Sequence, residues 1–226
     1  MMTQSTGIRA KLTTCLRGLL LLLAGAASTP GLAQTAEQEV HDLQRHWAEI
    51  QYRTPEKQRA DKLAALTEKA GTLTARYPDN AAVWTWSGIV RASHAGAKGG
   101  IGALPIVKAA KADLEKAISL DGSVLDGAAY TSLGSLYYQV PGWPIGFGDD
   151  KKAQTLLLKG LEYGADDMDA NYFYADYLFQ QKDYAQAMAY ANRAEHGPAD
   201  LERPVASEGR LGQIKQLQAK IQQKLH

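Results

Sequence analysis

The residue types that carry most protein chemistry are present in this chain but scattered. Its five histidines are His41, His46, His94, His196 and His226. None belongs to a His-Glu-x-x-His pair, the spacing that would put two imidazoles on one helical face around zinc. Each reads as a solvated surface side chain. Asp166, Asp167 and Asp169 lie close together, where carboxylates favour the start of a helix, but they lack the spacing of a calcium loop. Glu115 and Glu162 are carboxylates with nothing paired to either. The glycine-rich stretch around Lys98 has no Gly-Lys-Ser/Thr and follows a helix instead of a strand, so it does not match a phosphate loop. No Gly-x-Ser-x-Gly elbow occurs. The expectation is a protein with no catalytic residues, no metal and no cofactor, whose chemistry is recognition.

The residues best suited to recognition sit in one unusual segment. Val140-Pro141-Gly142-Trp143-Pro144-Ile145-Gly146-Phe147-Gly148-Asp149 places Trp143 and Phe147 among three glycines and two prolines, so the segment cannot be helical. Long ordered loops on a rigid scaffold commonly carry binding function. Two readings are open here. Trp143, Ile145 and Phe147 tuck down as a small satellite core, or they touch a ligand directly.

The N-terminus reads as an export signal over residues 1–33. Arg9, Lys11 and Arg17 precede the apolar stretch Gly18 to Ala27, and Gly31-Leu32-Ala33 offers small residues at the cleavage positions. The apolar run is shorter than the roughly 20 residues a membrane-spanning helix needs, so no stable membrane insertion is expected. Removing these residues takes three of the 25 basic side chains and none of the 24 acidic ones, leaving a formal charge of −2. No concentrated basic patch remains to hold nucleic acid. Cys15, the only cysteine, leaves with the leader, so an oxidising compartment finds no thiol to pair. The chain is expected to be periplasmic or secreted, with stability from packing alone.

The elements that position these residues are expected to be helices. Val40, Leu43, Trp47 and Ile50 recur at spacings of three and four, as do Leu63, Leu66, Ala70 and Leu73. Pro55 opens the second of these runs and Tyr77-Pro78-Asp79-Asn80 closes it. The sequence also repeats. Ala153, Leu157 and Gly160 correspond to Ala187, Ala191 and Ala194 at a shift of 34 residues, and Ala110, Leu114 and Ala117 carry the same small-apolar pattern earlier. Ahead of each copy lies another helix: Trp84-x2-Ser87-Gly88, then Tyr130-x2-Leu133-Gly134-x2-Tyr137, then Tyr174-Ala175-x2-Leu178. Over residues 60 to 200 this pattern resembles the tetratricopeptide-repeat family. Ser87 and Arg91 depart from it, standing where leucine and tyrosine are commoner.

The resemblance implies an all-α, right-handed solenoid of helix-turn-helix repeats. The expected domain spans 34–226, with a helical hairpin over 37–79 and repeats at 80–122, 123–165 and 166–199. A capping helix is expected over 205–225, where Leu211, Ile214, Leu217, Ile221 and Leu225 form one stripe. Trp84 to Tyr130 is 46 residues and Tyr130 to Asn171 is 41, so two units carry insertions, read as enlarged turns over 93–102 and 140–149. Neighbouring repeats should set these turns side by side. The family's concave face is lined mainly by the first helix of each unit. This places Thr85, Ile89, Thr131, Ser135, Tyr138, Tyr172, Asp176 and Phe179 inward as candidate binding residues, beside Trp143 and Phe147. The expected function is a scaffold binding a protein or peptide partner in that groove. The alternative is a small-molecule carrier, or a subunit accompanying a transporter, with its pocket under the enlarged turns.

Overall fold

A computed structural model describes residues 35–225. The expected export signal, residues 1–33, lies outside them. Among the described residues every regular element is helical, and no helix is long and apolar enough to cross a membrane. The α-helices are α1 (Ala36–Ala48), α2 (Glu56–Arg76), α3 (Ala81–Lys98), α4 (Leu104–Asp121), α5 (Val124–Gln139), α6 (Asp150–Tyr163), α7 (Met168–Gln180), α8 (Tyr184–His196) and α9 (Pro204–Leu225).

Local chemistry marks their beginnings. Thr35 and Gln38 form a reciprocal capping box ahead of α1. Asn80, Asp149, Asp167 and Asp183 each accept a backbone N–H of the helix that follows, satisfying donors that the helix itself leaves free. α1 widens into a π-helical stretch, Glu49–Arg53, before Pro55 starts α2.

The helices pack as successive pairs, α3 with α4, α5 with α6 and α7 with α8. The first helices of the pairs also pack on one another, α1 on α3, α3 on α5 and α5 on α7, forming an inner layer. The architecture is therefore an all-α, repeat-like array. The small residues of the repeat pattern sit at the tightest crossings. A Cβ on Gly88 would lie 2.5 Å from Cγ of Leu114, and one on Gly134 would lie 2.8 Å from Cγ of Leu157. Gly88 and Gly134 hold equivalent places in α3 and α5, so one contact recurs from pair to pair.

The departure at Ser87 and Arg91 has a shared cause. The Ser87 hydroxyl and Arg91 Nε both donate to Asp113 Oδ2, at 2.6 and 2.7 Å. In the α3–α4 pair a buried ionic link stands where the other pairs use apolar contact. Breaking one member of such a link leaves the others unpaired.

α9 does more than cover the end of the array. Ile214, Leu217 and Ile221 are buried against the last pair. Its first turns reach back to the beginning of the array, where Val205 and Ala206 join the apolar cluster of α1, α2 and α3. Tyr52 Oη donates to Gln213 Oε1 at 3.3 Å, and Gly209 lies directly against the Tyr52 ring. Arg210, buried, donates to Asp169 from Nε and to Gln213 Oε1 from Nη1. Its guanidinium lies 4.5 Å from the Tyr172 ring centre and 4.7 Å from that of Phe173. The first and last helices of the described chain are thereby joined.

Two glycine substitutions separate crowding from helix propensity. Gly134→Ala should lower unfolding free energy by about 1–3 kcal/mol through overpacking on Leu157. Gly212→Ala in α9, with open space around the added methyl, should raise it by about 0.5–1 kcal/mol. Chemical denaturation of both variants checks this; equal effects of the same sign would contradict the crowding argument.

Candidate functional site

The insertion expected as a turn over 93–102 is mostly helix. α3 continues to Lys98, and only Gly99 and Gly100 break it, with φ of 62° and 61°. Tertiary contacts account for the extension. Trp47 Nε1 donates to Ser93 Oγ at 2.8 Å, and His94 Nδ1 lies 3.3 Å from Thr67 Oγ1. Side chains of α1 and α2 thus hold the end of α3 in helical form. Ile101–Ala103 then makes a 3-10 turn into α4.

The 140–149 segment is an ordered loop. Asp149 N–H donates to Tyr137 O, and Gly148 N–H to Pro141 O. The Trp143–Pro144 peptide is cis. Of Trp143, Ile145 and Phe147, it is Phe147 that turns inward, meeting Tyr137 edge-on at 5.3 Å with Lys111 beside its ring. Trp143 is 90% exposed and Ile145 62% exposed, so the satellite core that would include them does not form.

The two insertions lie side by side. Between them runs an apolar trough of about 420 Å³. Ala92, Ala95, Leu104, Val107, Leu136 and Val140 contribute to its walls. Ile101 and Ile145 stand at its edge, and the Gln139 side chain is the polar group in its lining. Ile101 is 86% exposed. Trp143 projects from the same loop outside the trough.

The concave side is a second cavity, of about 340 Å³, formed by α1, α3, α5 and α7 and closed on one flank by residues 200–210. Ile89, Thr131 and Ser135 line it, with the Ser135 hydroxyl donating to Ser132 O. Thr85 does not, being buried with its hydroxyl on Ala81 O. Tyr138 lies in the seam between α5 and α7, where its hydroxyl donates to Asp176 Oδ2 at 2.8 Å. Burial, reinforced by Asp176, lifts the Tyr138 phenol well above its usual pKa. Asp176 also accepts from Gln180. Tyr172 packs under Arg210, and Phe179 rests on Tyr184. The aromatic side chains that reach the cavity are instead Trp47, Trp86 and Phe173.

Its charged groups are Asp126, Asp167, Asp169, Asp200, Glu202, Arg203 and Arg210. Repeat periodicity does not reveal them, because residues 200–210 arrive from outside the repeats. The aspartate cluster at 166–169 is the one visible signal, and it has two roles. Asp167 caps α7, accepting from Ala170 N–H at 2.7 Å, while Asp169 holds Arg210. Leu125 and Asp126 carry left-handed backbone, φ 54° and 53°, a conformation costly for side-chain-bearing residues. Among the described residues, no group of three or more His, Cys, Asp or Glu is placed to hold a metal ion.

Burial, then the neighbouring charges of Asp169 and Asp126, push the Asp167 carboxyl up to about 6, against the pull of Ala170 N–H and Arg203. A carboxyl raised above its unfolded value of 3.8 favours the fold most when protonated. That contribution is complete below the unfolded value and is lost as pH rises through about 6. Asp167→Asn keeps the cap without the charge. Its thermal midpoint should exceed that of the unaltered protein at pH 7.5, and the two should converge near pH 4. A difference independent of pH would contradict this assignment.

No family model and no curated protein matches the chain.

Proposed function

We propose that this protein is an exported, non-catalytic scaffold of the tetratricopeptide type, and that it binds an apolar segment of a protein partner at the edge carrying its two insertions. The observation that carries the reading is the trough between them, together with the large side chains around it. A contiguous apolar surface of this kind is uncommon on a protein with nothing to bind.

The footprint argues for a macromolecular partner. A small ligand could fill about 420 Å³, but it would leave Trp143 in water and much of Ile101 uncovered. A peptide that continues out of the trough over the 140–149 loop covers both. An exposed tryptophan beside an apolar depression is the arrangement from which interfaces draw much of their energy. The walls come from α3, α4 and α5, whose backbone hydrogen bonds are already made. Recognition there would proceed through side-chain burial on a preformed surface.

A displayed random-peptide library selected on the purified protein tests the reading. The selected peptides should carry two or more large apolar residues. Their affinity should fall at least roughly tenfold in Ile145→Asp, which buries a charge under the peptide, and also in Trp143→Ala. Both side chains are exposed, so the circular dichroism of the variants should match that of the parent. Peptides that bind Ile145→Asp as tightly as the parent would overturn the assignment. Uptake of an apolar small molecule with no peptide selected would replace it with a carrier role.

A further inference from the structure

The concave cavity is separate from the trough, and its lining has a different chemistry. Of its five carboxylates and two guanidiniums, two of each are paired: Asp200 with Arg203 and Asp169 with Arg210. Asp126, Asp167 and Glu202 remain, and among the described residues none forms an ion pair. Asp167 is engaged as the cap of α7, with Arg203 near it. Asp126 and Glu202, however, are exposed carboxylates in the lining, and this surplus of negative charge attracts a cation.

A second observation points to a ligand independently of charge. Gln44 lines the cavity at 9% exposure, and among the described residues its carboxamide has no hydrogen-bond partner. The amide is left to the solvent of the cavity, where a ligand carrying a matching polar group would meet it. Its carbonyl oxygen offers an acceptor to whatever occupies the space.

We infer that the cavity is a binding site for an organic ammonium ligand, one in which cationic groups are joined by short alkyl spacers. The carboxylates come from α5, the start of α7 and residues 200–202, and among the described residues no three of them are placed to hold a metal ion. That distribution suits charges separated by methylenes better than a single ion. Trp47, Trp86 and Phe173 supply apolar wall for the spacers. An anion would face the excess carboxylates, because both arginines are already engaged. A neutral ligand would desolvate those carboxylates without compensating them. A volume of about 340 Å³ is at the small end of ligand sites.

The test is calorimetric titration of the purified full chain with spermidine at low ionic strength, beside 1,8-octanediol as a neutral chain of comparable length. Spermidine should bind and octanediol should not. Asp126→Asn with Glu202→Gln, both at exposed positions, should weaken spermidine at least about tenfold. Gln44→Leu should weaken it as well. A capped tri-lysine peptide distinguishes the sources of the ammonium group. Tighter binding than spermidine assigns the site to lysine side chains of a partner, and weaker binding assigns it to a free polyamine. No heat with either amine, or unchanged affinity in the double variant, would overturn the inference. Ile145→Asp should leave spermidine binding intact, so failure at the trough and failure at the cavity are read separately.

Discussion

Arg210 is a buried guanidinium held between a carboxylate and two aromatic rings, and the closed form of this array depends on it. Burial alone disfavours its charge, but Asp169, Tyr52 and Tyr172 outweigh that cost and hold it protonated. Arginine suits the position because its planar fork can bond Asp169 and Gln213 while its faces lie on Tyr172 and Phe173. A lysine could supply the charge but not the stacking. With Arg210 in place, α9 is fixed against α7, and its first turns are held against the end of α1. The concave side of the repeats becomes a vessel with a wall.

That closure divides the molecule into two regions of contrasting chemistry. At the insertion edge, α3 and the 140–149 loop surround a depression lined almost wholly by carbon. On the concave side, segments from α1, α3, α5, α7 and the 200–210 stretch bring together carboxylates, aromatic rings and an unpartnered amide. The two spaces share α3 and α5 as their common frame, and Ala92 contributes to both. The close contacts of Gly88 and Gly134 with the second helices set the spacing of that frame.

Much of the fold was legible because it rests on local, periodic constraints. The three-and-four spacing of apolar residues marks the helices, and the recurring small residues mark where they cross. The adjacency of the insertions also followed from the spacing. Two things were hidden by non-local interactions. The extension of α3 depends on Trp47 and Thr67 meeting Ser93 and His94, which no pattern within residues 93–102 reveals. The occupation of the concavity depends on α9, whose apolar stripe announces that it packs but not how far it reaches. The expected groove residues show the result. Ile89, Thr131 and Ser135 line a cavity, while Tyr138, Tyr172 and Phe179 are engaged in packing between helices. Asp166, Asp167 and Asp169 were readable as a helix start, but Arg210, the partner of one of them, lies 41 positions further along.

The joining of the first and last helices also bears on how the protein acquires its shape. Each helix pair forms from neighbours in sequence and can assemble quickly, because little chain entropy is lost in bringing them together. The contact of Tyr52 with Gln213 spans 161 positions and has no local route. The repeats can therefore zip up along the chain as it emerges, while the concave cavity waits for α9 to arrive. A nascent molecule that has made its apolar trough would still have its concave side open on the flank that α9 closes. Truncation before Pro204, which removes Arg210 and its hold on Asp169, would leave that flank open permanently.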